Sequence, residues 1–100
     1  MTCYSVLAVT PTIEDWIPGY LAPALEIITK HGGKYIARTT DHEQVEGDPQ
    51  PAALRIIIEW PSKQDALDFV NDPDYAPHLK ARTEGSNSSH FIINGKDDLA

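Results

Sequence analysis

The stretch Leu54-Arg55-Ile56-Ile57-Ile58-Glu59-Trp60 decides the fold. Seven residues of mostly β-branched, aromatic and long aliphatic type, stopped by Pro61, form a strand. Side chains alternate between the two faces of a strand. One row is therefore Leu54, Ile56, Ile58 and Trp60, wholly apolar, and the other is Arg55, Ile57 and Glu59, mixed. The apolar row belongs under helices, and the mixed row belongs to a face that helices do not cover.

Reading outward from this strand gives the rest. Downstream, Ser62 caps a helix, Asp65 completes a capping box, and Ala66, Phe69 and Val70 form its apolar side. Asn71-Asp72-Pro73 closes that helix and opens a short second one, with Asp72 as N-cap and Pro73 at its first position. Gly85 to Ser88 reads as a turn and His90 to Asn94 as the last strand, followed by a polar tail. Upstream, Cys3 to Val9 is an apolar strand, and Lys34 to Thr39 is another. Between them Thr12 and Asp15 suggest a capping box, and Pro18-Gly19 predicts a break. A firmer helix follows from Leu21 to His31, with Leu21, Leu25 and Ile28 as its core stripe. Gly32-Gly33 ends it, and Asp41 to Pro51 is a long exposed loop. The order is βαββαβ with one extra helix, an α+β, ferredoxin-like arrangement with an antiparallel sheet in a single domain over residues 1–100.

Composition narrows the function classes. Eight basic and 15 acidic residues give a net charge of −7, spread along the chain, and the lysines and arginines stand singly. Nucleic-acid backbones and anionic membranes are bound by clustered cations, so neither partner is expected. No apolar run reaches the ~18–20 residues of a membrane span, and the first residues carry no secretory pattern. With a single cysteine, Cys3, in a core position, the expected location is the cytoplasm.

The helix-free face is predicted to carry Ile36, Ile57 and Ile92 among Arg38, Arg55, Glu59 and His90. Three isoleucines left in water would cost a few kcal/mol at ~25 cal/mol per Å². A second copy of the same sheet is the simplest cover, so the sequence predicts a homodimer paired through its sheet face.

Several segments together resemble a known family. They are His31-Gly-Gly-Lys-Tyr-Ile-Ala-Arg38, Glu46-Gly47, Ile58-Glu-Trp-Pro-Ser62, Asn71-Asp-Pro-Asp-Tyr75 and Arg82, which look like domain of unknown function 1330 over about residues 3 to 95. The resemblance implies membership of the dimeric α+β-barrel superfamily, whose subunits pair through their sheets. Relatives in that superfamily include cofactor-independent monooxygenases, haem-using enzymes and small isomerases. Trp60 and Asp72 depart from the family's usual phenylalanine and serine, and Pro18, Pro23 and Pro77 interrupt regions normally free of proline.

The residues matching the family's polar positions are Arg38, Glu46, Glu59, Tyr75 and Arg82. Arg38 and Glu59, expected on one face of neighbouring strands, form either an ion pair or a carboxylate anchor. Tyr75, Leu79 and Arg82 fall at i, i+4 and i+7 on one helical stripe, so a phenol and a guanidinium could orient an anionic or phenolic compound. Glu59 and His90 are the candidates for moving a proton. His31, His42, His78 and His90 form no metal-ligand spacing, and no cofactor is called for. Three functional readings follow. The first is a pocket that binds or transforms a small organic acid or aromatic compound without cofactor. The second is a noncatalytic ligand-binding or interaction module in which the polar residues serve structure. The third is haem binding through a histidine.

Overall fold

A computed structural model describes all 100 residues. In chain order they form β1 (Cys3–Pro11), α1 (Ile17–Lys30), β2 (Lys34–Thr39), β3 (Leu54–Trp60), α2 (Lys63–Val70), α3 (Ala76–Glu84) and β4 (Ser86–Asn94). The strands make one antiparallel sheet in the order β2-β3-β1-β4, with the three helices on one face. This is the α+β ferredoxin-like fold expected from the sequence.

β3 sits next to the centre of that sheet, and its apolar row supplies Ile56, Ile58 and Trp60 to the core. β1 adds Cys3, Leu7 and Val9 from alternate positions, with Ser5 buried among them. The Trp60 indole stacks near Phe69 at 5.2 Å, and Phe69 lies 4.2 Å from Tyr75, so an aromatic column joins the sheet to α2 and the α2–α3 link. Around it pack Ala24, Ile27, Ile28 and Ala66.

Local chemistry sets the element ends. Ser62 is extended and its hydroxyl accepts from the Asp65 N–H at 3.1 Å while donating to the Asp65 carboxylate at 2.8 Å, a reciprocal cap for α2. Gly32 takes φ +80°, which lets the chain leave α1 with Gly32 and Gly33 donating back to Thr29 and Ile28. Gly33 is needed for a different reason: a Cβ there would sit 2.5 Å from the Trp60 ring and 2.8 Å from Ile28.

Several boundaries differ from the sequence reading. α1 begins at Ile17 and runs unbroken to Lys30. Pro18 falls in the first turn, where no N–H is required, and Pro23 inside the helix is tolerated because Ala24, Ile27 and Ile28 bury beside it. Thr12 is not the cap; Trp16 holds that position without a side-chain bond. The buried stripe is Ala24, Ile27 and Ile28, whereas Leu21 and Leu25 are 48% and 46% exposed. The third helix starts at Ala76 rather than at Pro73. Asp72 instead accepts from the Asp74 N–H at 2.9 Å, making a turn ahead of the helix. β4 starts at Ser86, taking in the residues expected to form a turn, and β1 extends to Pro11.

The largest correction concerns which way the edge strands face. Tyr35 pairs with Ile58 and Ala37 with Ile57, so Ile36 is an extra residue in a β-bulge and parity changes along β2. Arg38 consequently pairs with Ile56 and lies on the helix side of the sheet. Glu59, which pairs with Lys34 and Tyr4, lies on the open side, and the expected Arg38–Glu59 pair does not form. In β4, His90 pairs with Leu7 and Ile92 with Ser5, which puts both under the helices. Phe91 and Ile93 take the open face in their place, at 66% and 50% exposure. The open face therefore still carries apolar residues, Ile36, Ile57, Phe91, Ile93 and Val6 among them, but three of the residues expected there, Arg38, His90 and Ile92, are on the other side.

Candidate functional site

Between the first turns of α1 and one end of the sheet lies a cavity of about 80 Å³. Val9 and Pro11 of β1, Leu54 and Ile56 of β3, and Tyr35 of β2 make its floor. Trp16, Tyr20 and Leu21 make the α1 side, and Arg38 and Arg82 supply the only charges in its wall. It exists because α1 begins early, at Ile17, and reaches over the Leu54 end of the sheet.

Arg82 is the unusual member. It is 4% exposed and has no carboxylate within salt-bridge distance. Its Nη1 donates to the Ser88 hydroxyl at 2.9 Å, and its Nε, also buried, has no partner. A guanidinium can only donate and keeps its charge at any ordinary pH. A buried cation without a counterion is costly, and natural proteins pair such groups or reserve them for a ligand. The chain carries 15 acidic residues, and none reaches this one.

Phenols surround the arginine. The Tyr20 and Tyr75 hydroxyls lie 2.6 Å apart and share one hydrogen bond. Burial, reinforced by the neighbouring Tyr75, pushes the Tyr20 phenol far above its ordinary acidity range, so it stays protonated. Tyr35 is pushed up by burial too, against the pull of the Arg38 guanidinium, which lies 4.1 Å over its ring. Trp16 closes the end of the cavity: its indole donates to the Gly85 carbonyl at 3.0 Å and meets the Tyr20 ring edge-on at 5.4 Å. The site thus presents hydrogen-bond donors and positive charge on an apolar, aromatic wall.

The structure separates the residues that sequence reasoning grouped. Arg38 and Arg82 meet at one cavity. Tyr75 stands behind that wall, 2% exposed, and touches it through Tyr20. Glu59 is across the sheet from them. His90 shares their side but lies outside the cavity wall. There Trp60 donates to the Ser5 hydroxyl at 2.8 Å, and Ser5 lies 2.8 Å from His90 Nε2. The indole can only donate, so Ser5 accepts from it and keeps its own O–H available to donate to a neutral imidazole. Burial, assisted by the Arg82 charge, pushes His90 down to about 4, which keeps it neutral in this chain of bonds. Glu46 belongs to the exposed loop, where its carbonyl accepts from Gln44.

Histidine 31 has a structural partner as well. Its Nε2 lies 2.7 Å from the buried Asp72 carboxylate, which Lys30 also reaches at 3.0 Å. The His31 hydrogen bond, then the Asp74 N–H and Lys30, hold Asp72 well below the usual carboxylate range. This clasp ties the end of α1 to the α2–α3 link. Tyr20 and Tyr35 were missed by sequence reasoning. Tyr20 stands in no motif; Tyr35 lies inside the family-like segment from His31 to Arg38 but was not read as a site residue, and the β2 register sets it on the cavity side.

The fold recurs among solved structures. A protein of unknown function from Rhodopseudomonas palustris is similar at 16% identity, with a TM-score of 0.74 over 96% of this chain and 83% of that one. SnoaB, described as a cofactor-independent oxygenase from Streptomyces nogalater, is similar at 16% identity, with a TM-score of 0.65 over 98% of this chain and 96% of that one. A conserved protein from Methanosarcina mazei is similar at 13% identity, with a TM-score of 0.56 over 96% of this chain and 95% of that one. At these identities the likeness is one of fold. No functionally curated protein matches the chain. The family model described as Domain of unknown function (DUF1330) matches residues 2–96, and the chain belongs to that family.

Proposed function

We propose that the protein binds a small organic acid or aromatic compound in the cavity between α1 and the sheet, acting as a homodimer paired through its open sheet face. The observation that carries the ligand reading is Arg82, a buried guanidinium without a counterion in the wall of a largely apolar cavity to which Arg38 adds the other charge. An anionic group supplied by a ligand would balance its charge. Arg38, more exposed and stacked on Tyr35, is placed to guide or hold the same occupant. The volume, about 80 Å³, is far below the ~300–1,000 Å³ of drug-sized sites and favours an occupant of about one ring.

The finer proposal is that the occupant is transformed there without a cofactor. Support comes from the donor-rich wall and from the shared fold of SnoaB, whose description is that of a cofactor-independent oxygenase. In this reading Arg82 and Arg38 bind and Tyr75 acts through Tyr20. Glu59 and His90 take no part at the cavity, because one is across the sheet and the other is bonded to Ser5.

The dimer is supported by the open face, where Phe91, Ile93 and Ile36 stand exposed on a surface continuous with Ile57 and Val6. A flat patch spanning all four strands can meet its own copy about a two-fold axis. Thermal denaturation with a panel of small aromatic acids tests the ligand reading. Benzoate-like compounds should raise the melting temperature of the wild type and leave Arg82→Met unmoved. No shift with any acid, or an equal shift in both proteins, refutes it.

A further inference from the structure

We propose that two copies of the sheet meet about a two-fold axis that runs across the strands, along the row Ala37, Ile57, Val6 and Phe91. Glu59 of each subunit then meets the partner's Arg55, and Tyr4 and Ile93 seat over the partner's Ala8 and the partner's Ser89. This deepens the dimer reading of the open face and rests on it.

Strand pairing arranges the open face in rows that cross the sheet. The first row is Lys34, Glu59, Tyr4 and Ile93, and the second is Ala37, Ile57, Val6 and Phe91. The third is Thr39, Arg55, Ala8 and Ser89. The outer rows differ in charge. Glu59 and Arg55 stand on either side of Ile57, and neither has an opposite charge within salt-bridge distance in its own subunit. Lys34 is the ladder partner of Glu59 yet makes no ion pair with it. Arg55 donates to the Gln50 carbonyl, and a guanidinium has further N–H groups for a carboxylate. The outer rows also differ in bulk. Tyr4 and Ile93 are large, whereas Ala8 and Ser89 are small and help to line an open depression of about 500 Å³ with Thr10, Asn87 and the Pro51-Ala52-Ala53 segment.

Identical sheets packed face to face with their strands aligned to within ~30° have two symmetric solutions. An axis along the strands at the centre of the sheet lays β3 over the partner's β1, with each row over its own copy. Glu59 then covers Tyr4 and Arg55 covers Ala8, so both charges are buried without a counterion and the two depressions face each other. An axis across the strands reverses the rows. The first row of each subunit then faces the third row of the other, and the middle row faces itself. Glu59 and Arg55 meet twice, once on each side of the axis. The large Tyr4 and Ile93 enter the depression at Ala8 and Ser89, while Ile57, Val6 and Phe91 meet their own copies at the centre. Charge and volume both select this second solution, since an unpaired buried charge is costly and facing layers pack best with large residues against small ones.

The test is native mass spectrometry of mixed variants, which tells heterodimers from homodimers by mass. In a homodimer Glu59→Arg sets arginine against arginine twice, and Arg55→Glu sets glutamate against glutamate twice. Each variant alone should raise the dimer dissociation constant at least tenfold. Mixed together they restore both opposite-charge contacts, so the heterodimer should form at least tenfold more tightly than either homodimer. Ala8→Trp and Tyr4→Ala make a charge-free pair on the same logic. The first alone fills the depression and the second alone leaves it empty, and mixing the two should again favour the heterodimer. Should one pair fail to fold, the other decides. Statistical mixing within a folded pair, or homodimers as tight as the wild type, overturns this axis and leaves the dimer itself standing. A wild type that is monomeric at micromolar concentration overturns both.

Discussion

Replacing Arg82 with methionine separates a charge kept for the fold from one kept for a ligand. In the wild type the guanidinium is buried without a counterion, and burial of such a group costs several kcal/mol. Against that cost stands one charge-assisted bond to Ser88 at 2.9 Å, a contribution of about 1.5–3 kcal/mol. Methionine has a similar unbranched stem, loses the bond and also loses the desolvation penalty. The two terms nearly cancel, so Arg82→Met should unfold at the same urea concentration or a higher one, gaining between 0 and about 2 kcal/mol. Equilibrium unfolding followed by the fluorescence of Trp16 and Trp60 measures this, and an unchanged slope confirms that the unfolding reaction is the same. Addition of a ligand at one hundred times its dissociation constant should then stabilise the wild type by about 2.7 kcal/mol and the variant not at all. A variant that is less stable than the wild type by more than about 2 kcal/mol refutes the reasoning, because the guanidinium would then be holding the fold together.

Three further outcomes follow from particular contacts. Gly33→Ala places a methyl group 2.5 Å from Trp60 and 2.8 Å from Ile28, both in the core, and should cost about 1–3 kcal/mol in the same urea assay; a neutral result would mean that α1 can back away from the sheet. His90 is neutral in the fold with its pKa lowered from 6.5 to about 4, so the unfolded chain binds the extra proton between those values. Its contribution is fully present above pH 6.5 and is lost as pH falls toward 4, on the order of 1 kcal/mol by pH 5 once solvent screening is allowed for; His90→Gln should flatten that part of the stability profile. Phe91→Asp puts a charge on the exposed apolar face and should convert a sedimenting dimer to an 11.1 kDa monomer with unchanged circular dichroism; a wild type that sediments as a monomer at micromolar concentration sinks the dimer itself.

How much of the site was legible in the sequence depends on the residue. Arg82 and Tyr75 were readable as one helical stripe because helical spacing is local, and the structure buries both. Ser62 and Asp65, and Gly32 with Gly33, were readable for the same reason: a cap or a helix stop depends on residues within one turn. Leu21 and Leu25 were misjudged because α1 is rolled onto Ala24, Ile27 and Ile28 by contacts from distant parts of the chain. Tyr20 gave no local sign. Its importance comes from Tyr75, 55 residues away.

The sequence by itself determined the order of the elements, the apolar row of β3 and therefore which side of the sheet the helices must cover. Only the tertiary structure decided where Arg38 and His90 face, and with them whether Arg38 could meet Glu59. The side-chain period of a strand is two, so one extra residue at Ile36, or a pairing partner chosen by β1 for β4, moves a residue to the opposite face. Such a shift is set by hydrogen bonding between strands that are far apart in the chain, and alternation along a single strand carries no record of it.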